Sequence, residues 1–195
     1  MRFHREFFFN PMILLIAAIF AVHSVLTILA WQGWLSLAGL LAGMLIYAVM
    51  EYLVHRFLMH RFPRVAPKIF EGHAMHHRHP NDVKYLFSGV PYDIAAYAVF
   101  YLILLALTRD FPLTFAVVAG TSLYQLYYQW MHYAAHRPIK PITPWGRWMK
   151  KKHLLHHFMD EQSWYGVSHP VLDVLLGTDN PRPKSEKRQS SHQPG

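Results

Sequence analysis

The chain has no cysteine in its 195 residues. That excludes disulfide frameworks, thiolate zinc sites, iron–sulfur clusters and thiol nucleophiles together. Charge is scarce as well, with Asp, Glu, Lys and Arg at 15% against 53% apolar residues. This balance excludes disorder and a coiled coil for most of the length, and it disfavours a soluble globule. Acid is the scarcer sign, 11 residues against 19 basic ones, for a formal net charge of +8. The length suits one domain.

Long uncharged runs are abundant instead. Met12 to Ala30 carries no charge, and as a helix rising about 1.5 Å per residue it covers close to the roughly 30 Å of a hydrocarbon core. A cleaved signal peptide is disfavoured there, because the run is long for such a segment and no small-x-small cleavage site follows. A second run starts at Trp34, reaches Met50 and continues through Glu51 to Val54; a third spans Ile94 to Leu107 and a fourth Phe111 to Met131. The pattern predicts an all-α integral membrane protein with four transmembrane helices, arranged as two hairpins under a cytosolic helical cap. The expected divisions are a cytosolic N-terminal segment over 1–11, a membrane domain over 12–178 and a disordered tail over 179–195.

Of the 19 Lys and Arg, all but Arg109 precede the first run, lie between the second and third, or follow the fourth. The positive-inside rule therefore places the ends of both hairpins on the cytoplasmic face, in a bacterial inner membrane or the ER according to source. The net +8 then reads as orientation and attraction to anionic headgroups, with no nucleic-acid partner.

Histidine is the other excess, at 15 residues. Ten fall in four clusters, each following a hairpin: His55 and His60; His73, His76 and His77; His132 and His136; His153, His156 and His157. On a helix each H-x-x-H-H triplet presents its rings on one face, and so do His132 and His136. His55 and His60 lie five apart, about 140° around an ideal helix, so that stretch is expected to carry a wide turn or a helix end. Each half of the chain supplies five imidazoles, enough in total for two five-coordinate ions with open positions. Such ions would leave about +4 of charge on neutral ligands, so carboxylates are expected to orient ring N–H groups. Glu51, one turn before His55, is the first candidate, with Asp82, Asp160 and Asp173 as others. His4, His23 and His192 read as interface, packing and tail residues. His79 and His169, each before a proline, are placed outside the ligand set. Tyr127, Tyr128, Trp130, Trp145, Trp148 and Trp164 are candidates for a substrate channel or for interfacial anchoring.

The strings EYLVHRFLMH, HAMHHRHPND, HYAAH and HLLHHF, with WYGVSHPVLDVLLGT after them, resemble the fatty acid hydroxylase superfamily, and within it the fatty acid 2-hydroxylases. The resemblance implies that the ten clustered histidines hold two iron ions, with zinc possible in isolated protein. It also implies that O₂ is co-substrate to a lipid acyl chain. Many members carry a cytochrome b5 domain before the first span. About ten residues stand there in this sequence, so electrons are expected from a separate donor such as cytochrome b5 or a ferredoxin. Many members also have a histidine where Arg137 follows His136. A desaturase, a sterol-type oxidase or a carotenoid hydroxylase would use the same metal chemistry, and a membrane zinc-binding protein without turnover is the rival from another class.

Overall fold

Short polar side chains and prolines fix where the helices begin. Asn10 Oδ1 accepts from the Met12 amide at 3.0 Å, and Pro11 opens the helix that follows. Asp110 caps another through the Leu113 amide at 2.9 Å, and Thr143 caps a third through the Gly146 amide at 3.1 Å. Each side chain satisfies a donor that the first turn leaves unpaired. The computed structural model describes residues 2–181. Its order is α1 (Arg2–Phe8), α2 (Pro11–Leu29), α3 (Trp34–Leu53), a π-helical segment (Val54–Met59), α4 (Pro67–Arg78), α5 (Val83–Leu86), α6 (Val90–Thr108), α7 (Phe111–Ala135), α8 (Pro144–Phe158) and α9 (Val171–Leu175). There is no strand among the described residues.

Helices α2 and α3 are joined by a turn at Gly33 with φ of 65° and both pack on α7, and α6 is joined to α7 by a second turn at Arg109 and Asp110. The two turns meet, since Gln32 Nε2 donates to Asp110 Oδ2 at 3.3 Å. The histidine clusters lie at or after the far ends of α3 and α7, and on α4 and α8. Three segments are long and apolar enough to cross a membrane: Pro11–Leu29, Trp34–Met59 and Val83–Thr108. Their outer faces leave large side chains bare, among them Ile28, Leu41, Leu45, Leu102 and Leu107. Water would penalise that surface, whereas hydrocarbon does not.

Helix α7 differs. Thr114, Ala116, Val118, Ala119 and Ser122 are essentially inaccessible, so α7 is the centre of the bundle with α2 and α3 against it. Its threonine and serine hydroxyls bond within the helix: Thr121 and Ser122 donate to the carbonyls of Val117 and Val118. The approach of α3 to α7 depends on missing side chains. A Cβ on Gly43 would stand 2.0 Å from the Val117 oxygen, and one on Gly120 would stand 2.0 Å from the Leu40 oxygen. Small residues four apart on α3, Gly39 and Gly43, allow backbones to close in this way.

The N-terminal segment is built into the fold. Phe7 is buried with Met12, Ile16 and Tyr133, and the Tyr133 hydroxyl donates to the Phe3 carbonyl at 2.8 Å. Arg137 bonds both Glu6 and the Asn81 carbonyl. At the other end, Asp179 and Asn180 are tied down: Lys152 Nζ reaches Asp179 Oδ1 at 2.5 Å, and Ser163 Oγ donates to the Asn180 carbonyl at 2.8 Å. The rest of the expected tail, from Arg182, lies outside the described residues, and so does His192.

Gly120→Ala should lower stability by about 1–3 kcal/mol, because its methyl meets backbone that cannot give way. Gly72→Ala, on α4 with nothing within 4 Å of the new methyl, should be neutral or stabilising by about 0.5–1 kcal/mol. Thermal unfolding in detergent compares the two.

Candidate metal centre

The π-helical segment solves the spacing of the first pair. The Phe62 amide bonds the Phe57 carbonyl at 2.8 Å, a five-residue closure, and such wide turns return residues five apart to one face. His55, inside the segment, and His60, at its end, therefore point the same way, with ring centroids 5.1 Å apart. Helix α4 carries His73, His76 and His77, and α8 carries His153, His156 and His157. His132 sits in the last turn of α7, and His136 ends it.

These ten side chains come together in two groups of five, and within each group the ligand atoms lie within 4.8 Å of one another. One group is His55, His60, His73, His77 and His156; the other is His76, His132, His136, His153 and His157. The division does not follow the two halves of the chain. In each triplet the first and last residues serve their own half, and the middle one crosses to the other. Helix geometry gives the reason: positions i+3 and i+4 diverge by about 100°, so one triplet face can address two neighbouring centres.

In the first group the Nε2 atoms converge. His73 Nε2 lies 2.9 Å from that of His60, 3.0 Å from that of His77 and 3.1 Å from that of His55. His156 Nε2 lies 3.1 Å from His60 and 3.2 Å from His77. In the second group His136 and His153 are 2.8 Å apart, and His76 and His132 are 3.0 Å apart, again through Nε2. Two nitrogens each about 2.1 Å from one ion, at right angles, are separated by about 3 Å. The spacing of both groups fits a divalent transition ion. Burial holds the rings neutral: it pushes His60 and His76 down to about 2, His136 to about 3 and His77 to about 4, with neighbouring imidazoles adding to the effect, and it lowers His157 further. Neutral imidazole is the form that binds metal.

The expected carboxylates act at one remove. His55 Nδ1 donates to the Tyr165 carbonyl at 2.5 Å, and His156 Nδ1 donates to the Ser163 carbonyl at 2.8 Å. Both carbonyls belong to the loop after α8. Asp160 Oδ2 accepts from Ser163 Oγ at 2.9 Å. Asp173 accepts from the Tyr165 and Gly166 amides at 2.9 and 2.7 Å and from Thr178 Oγ1 at 2.7 Å. Glu51 Oε1 accepts from the Val167 and Ser168 amides at 2.7 and 2.8 Å, and its other oxygen accepts from Ser168 Oγ. Three of the four candidates therefore shape the loop that orients the rings, rather than touching the rings. Asp82 instead caps α5 through the Lys84 amide at 3.0 Å. Sequence reasoning missed this loop as the orienting element; the clue lay in Gly166, where a Cβ would meet the His169 oxygen at 2.0 Å.

The other histidines stand apart. His4 stacks on Trp130, His23 Nδ1 bonds the Ile19 carbonyl at 2.8 Å, His79 stacks on Tyr85 and His169 Nε2 bonds the Ala48 carbonyl at 3.1 Å. A cavity of about 220 Å³ adjoins the centre, lined by rings of both groups, His55, His73, His76, His132 and His153, and by Tyr128. Of the six candidate aromatics, Tyr128 alone reaches it. Trp145 donates to the Tyr127 hydroxyl at 3.0 Å with its ring half exposed, and Trp164 is buried and donates to the Asp179 carbonyl at 2.6 Å.

The sequence profile of the fatty acid hydroxylase family matches residues 40–178. The dihydroceramide fatty acyl 2-hydroxylases FAH2 and FAH1 of Arabidopsis thaliana are each 31% identical to this chain, over 108 and 109 residues. These matches cover 54% of this chain and 44% of each relative, so less than half of their length is represented. A solved structure described as full-length scs7p, with only the hydroxylase domain visible, superposes with a TM-score of 0.75 at 26% identity, covering 86% of this chain and 66% of that one.

Asp173→Ala strands three buried donors, each worth about 1–3 kcal/mol when unpaired, and should lower the melting midpoint sharply. Asp82→Ala removes only a helix cap and should cost about 1 kcal/mol. Equal losses from the two variants would contradict the role of Asp173 in the loop.

Proposed function

The chain belongs to the fatty acid hydroxylase family, and we infer that it is a membrane monooxygenase that hydroxylates a lipid acyl chain at the carbon next to the carbonyl. The observation that carries this reading is the pair of five-histidine groups bordering one cavity. Two iron ions, when bound, supply the redox chemistry that an unactivated C–H bond demands and that side chains lack. In the balanced reaction one oxygen atom of O₂ enters the C–H bond and the other leaves as water. An external donor, such as cytochrome b5 or a ferredoxin, provides two electrons, and two protons are taken up.

The protein's part is positional. Nine of the ten histidines present Nε2 to a neighbouring ring of their group, and the carbonyls of Ser163 and Tyr165 fix the tautomer and tilt of His156 and His55. His76 and His156, exchanged between the halves, would each complete the ligand set supplied mainly by the other half. The cavity shares lining residues, among them Tyr47, Met50 and Gln125, with an apolar groove between α3, α6 and α7. An acyl chain lying in that groove brings its carbonyl-proximal carbons to the histidines while the tail stays among the helices, which supports oxidation at the 2-position.

The same reading makes α7 a fourth span. It falls short on apolarity because α2 and α3 cover it, so lipid never tests its polar residues. With the basic residues other than Arg109 on one side, the histidine centre and its cap lie on the cytoplasmic face.

Protein prepared with iron should retain two ions per chain. His77→Ala and His157→Ala, in different groups, should each reduce this to about one, and His23→Ala should leave it at two. Elemental analysis decides, and full retention in both ligand variants would overturn the assignment.

Cells producing the chain should accumulate acyl groups with one oxygen added at C2, the atom coming from labelled O₂. Mass spectrometry of released fatty acids distinguishes this from a new mid-chain double bond or a hydroxylated ring lipid, which would indicate the desaturase or the sterol and carotenoid activities. Zinc-loaded protein that never consumes O₂ under any reductant would indicate a metal-binding role without turnover.

A further inference from the structure

Helix α7 borders two cavities on opposite faces. Gln125, Tyr128, Gln129 and His132 line the one at the histidines, and Tyr127, Trp130, Met131 and Ala134 line the other. Each set has the i, i+3, i+4, i+7 spacing of one helical face, and the two sets are displaced by two residues, about 200° around the axis. The second cavity, of about 420 Å³, therefore lies apart from both the metal centre and the acyl groove. Its size falls within the roughly 300–1,000 Å³ of ligand pockets.

The walls of this cavity are held in place from α8. Lys150 Nζ spends its three protons on the carbonyls of Ala134, Arg137 and Ile139, at 2.8, 2.7 and 2.9 Å, and Arg147 donates to the Ile142 carbonyl at 2.6 Å. The loop over 139–143 is thereby pinned between the end of α7 and the start of α8. Trp145 is fixed by its bond to the Tyr127 hydroxyl, and Trp130 by the stacked ring of His4 from α1. Lys140, on the pinned loop, is exposed and has no ion-pair partner among the described residues. No Asp or Glu lines the cavity among those residues, so the charges of Lys140 and Lys150 meet no counter-charge from its walls.

The position in the fold indicates what would supply one. The cavity lies where the uncharged run of α7 ends, at Met131, and the basic residues from Arg137 onward begin. Trp and Tyr rings favour that depth in a bilayer. Ile142, on the loop, is 93% exposed, and lipid accepts such a side chain where water penalises it. A solute anion would satisfy the lysines alone. A phospholipid with a net negative headgroup satisfies both parts, with its phosphate beside Lys140 and its glycerol and upper acyl carbons against the rings and Ile142.

We propose that the cavity between the end of α7, α1 and the 139–146 segment binds one anionic membrane phospholipid, separate from the substrate. The inference goes beyond the hydroxylase reading and needs only that α7 leaves the bilayer near Met131.

Native mass spectrometry tests it. The full chain is placed in nanodiscs of equal parts dioleoylphosphatidylglycerol and dioleoylphosphatidylcholine, released in the instrument and weighed with the lipid it keeps. One phosphatidylglycerol per chain should be retained in preference to phosphatidylcholine, by about fivefold for one lysine at the surface. Lys140→Glu should bring the two lipids near parity, with Lys140→Gln carrying the same expectation should the first variant fail to fold, and Lys140→Arg should keep the preference. Lys68→Glu makes the same charge change on an exposed residue of α4 outside the cavity, and it should keep the preference too. An equal loss from Lys68→Glu would mean attraction spread over the whole basic face and would overturn the site, as would equal retention of both lipids by the wild type or an unchanged preference in folded Lys140→Glu. Displacement by millimolar inorganic phosphate would reduce the site to an anion pocket and overturn the lipid assignment. None of these readouts needs turnover, so the lipid site and the hydroxylase reading stand or fall separately.

Discussion

A neutral imidazole has one N–H and one lone pair, and the arrangement around the histidines depends on which nitrogen carries which. For Nε2 to face inward with its lone pair, Nδ1–H needs an acceptor on the outside. His55 and His156 find theirs in the carbonyls of Tyr165 and Ser163. A backbone carbonyl is a good acceptor only if its peptide is held still, and buried Asp160, Asp173 and Glu51 perform that task by taking the loop's donors. The charge is thus used one layer out, where it can shape several peptides at once. A carboxylate placed directly against a ring would fix one histidine; Asp173 fixes the path of Tyr165, Gly166 and Thr178 together.

The bilayer imposes the second constraint, and it explains an unequal division of labour among the long helices. Segments facing lipid must be apolar on the outside, and α2, α3 and α6 are. A helix inside the bundle has no such obligation. Helix α7 spends that freedom on contact, bringing its backbone against α3 at Gly43 and Gly120, and on polarity, with Gln125, Gln129 and His132 buried along its last turns. The close packing in its first half anchors the register of its last turn, and that turn carries His132 and His136.

Much of this was legible in the sequence, for identifiable reasons. Uncharged run lengths located the helices because hydrocarbon tolerates few charges. The five-residue gap between His55 and His60 demanded a departure from the α-helix, and a π-helical turn meets it. The exchange of His76 and His156 was not legible as partnership, although the angular divergence of i+3 from i+4 contained it; choosing which centre each ring addresses requires the relative placement of α4 and α8, a tertiary fact. The carboxylates were picked out by proximity to histidines in sequence, and Glu51, Asp160 and Asp173 bond the loop after α8 rather than the rings they were expected to orient. Asp82 looked similar in sequence, yet it is a cap, because Asp before a short helix satisfies a local amide before it can reach anything distant.

The exchanged histidines also bear on how the protein forms. If each half of the chain completed its own five-ligand site, either half could bind an ion alone and fix a geometry before the other arrived. With His76 and His156 crossed over, each half offers four imidazoles to one centre and a single imidazole to the other. Metal affinity is folding free energy when the site is absent from the unfolded chain. Here the last increment of that energy is released only when α4 and α8 are both in place. Until then, burying ten lone-pair donors together without an ion leaves like dipoles facing one another at about 3 Å, an arrangement that favours water entering and the helices parting. The crossing therefore ties the two halves together, because neither group of five is complete until both α4 and α8 are in place, and any ion bound there would be held by the whole domain.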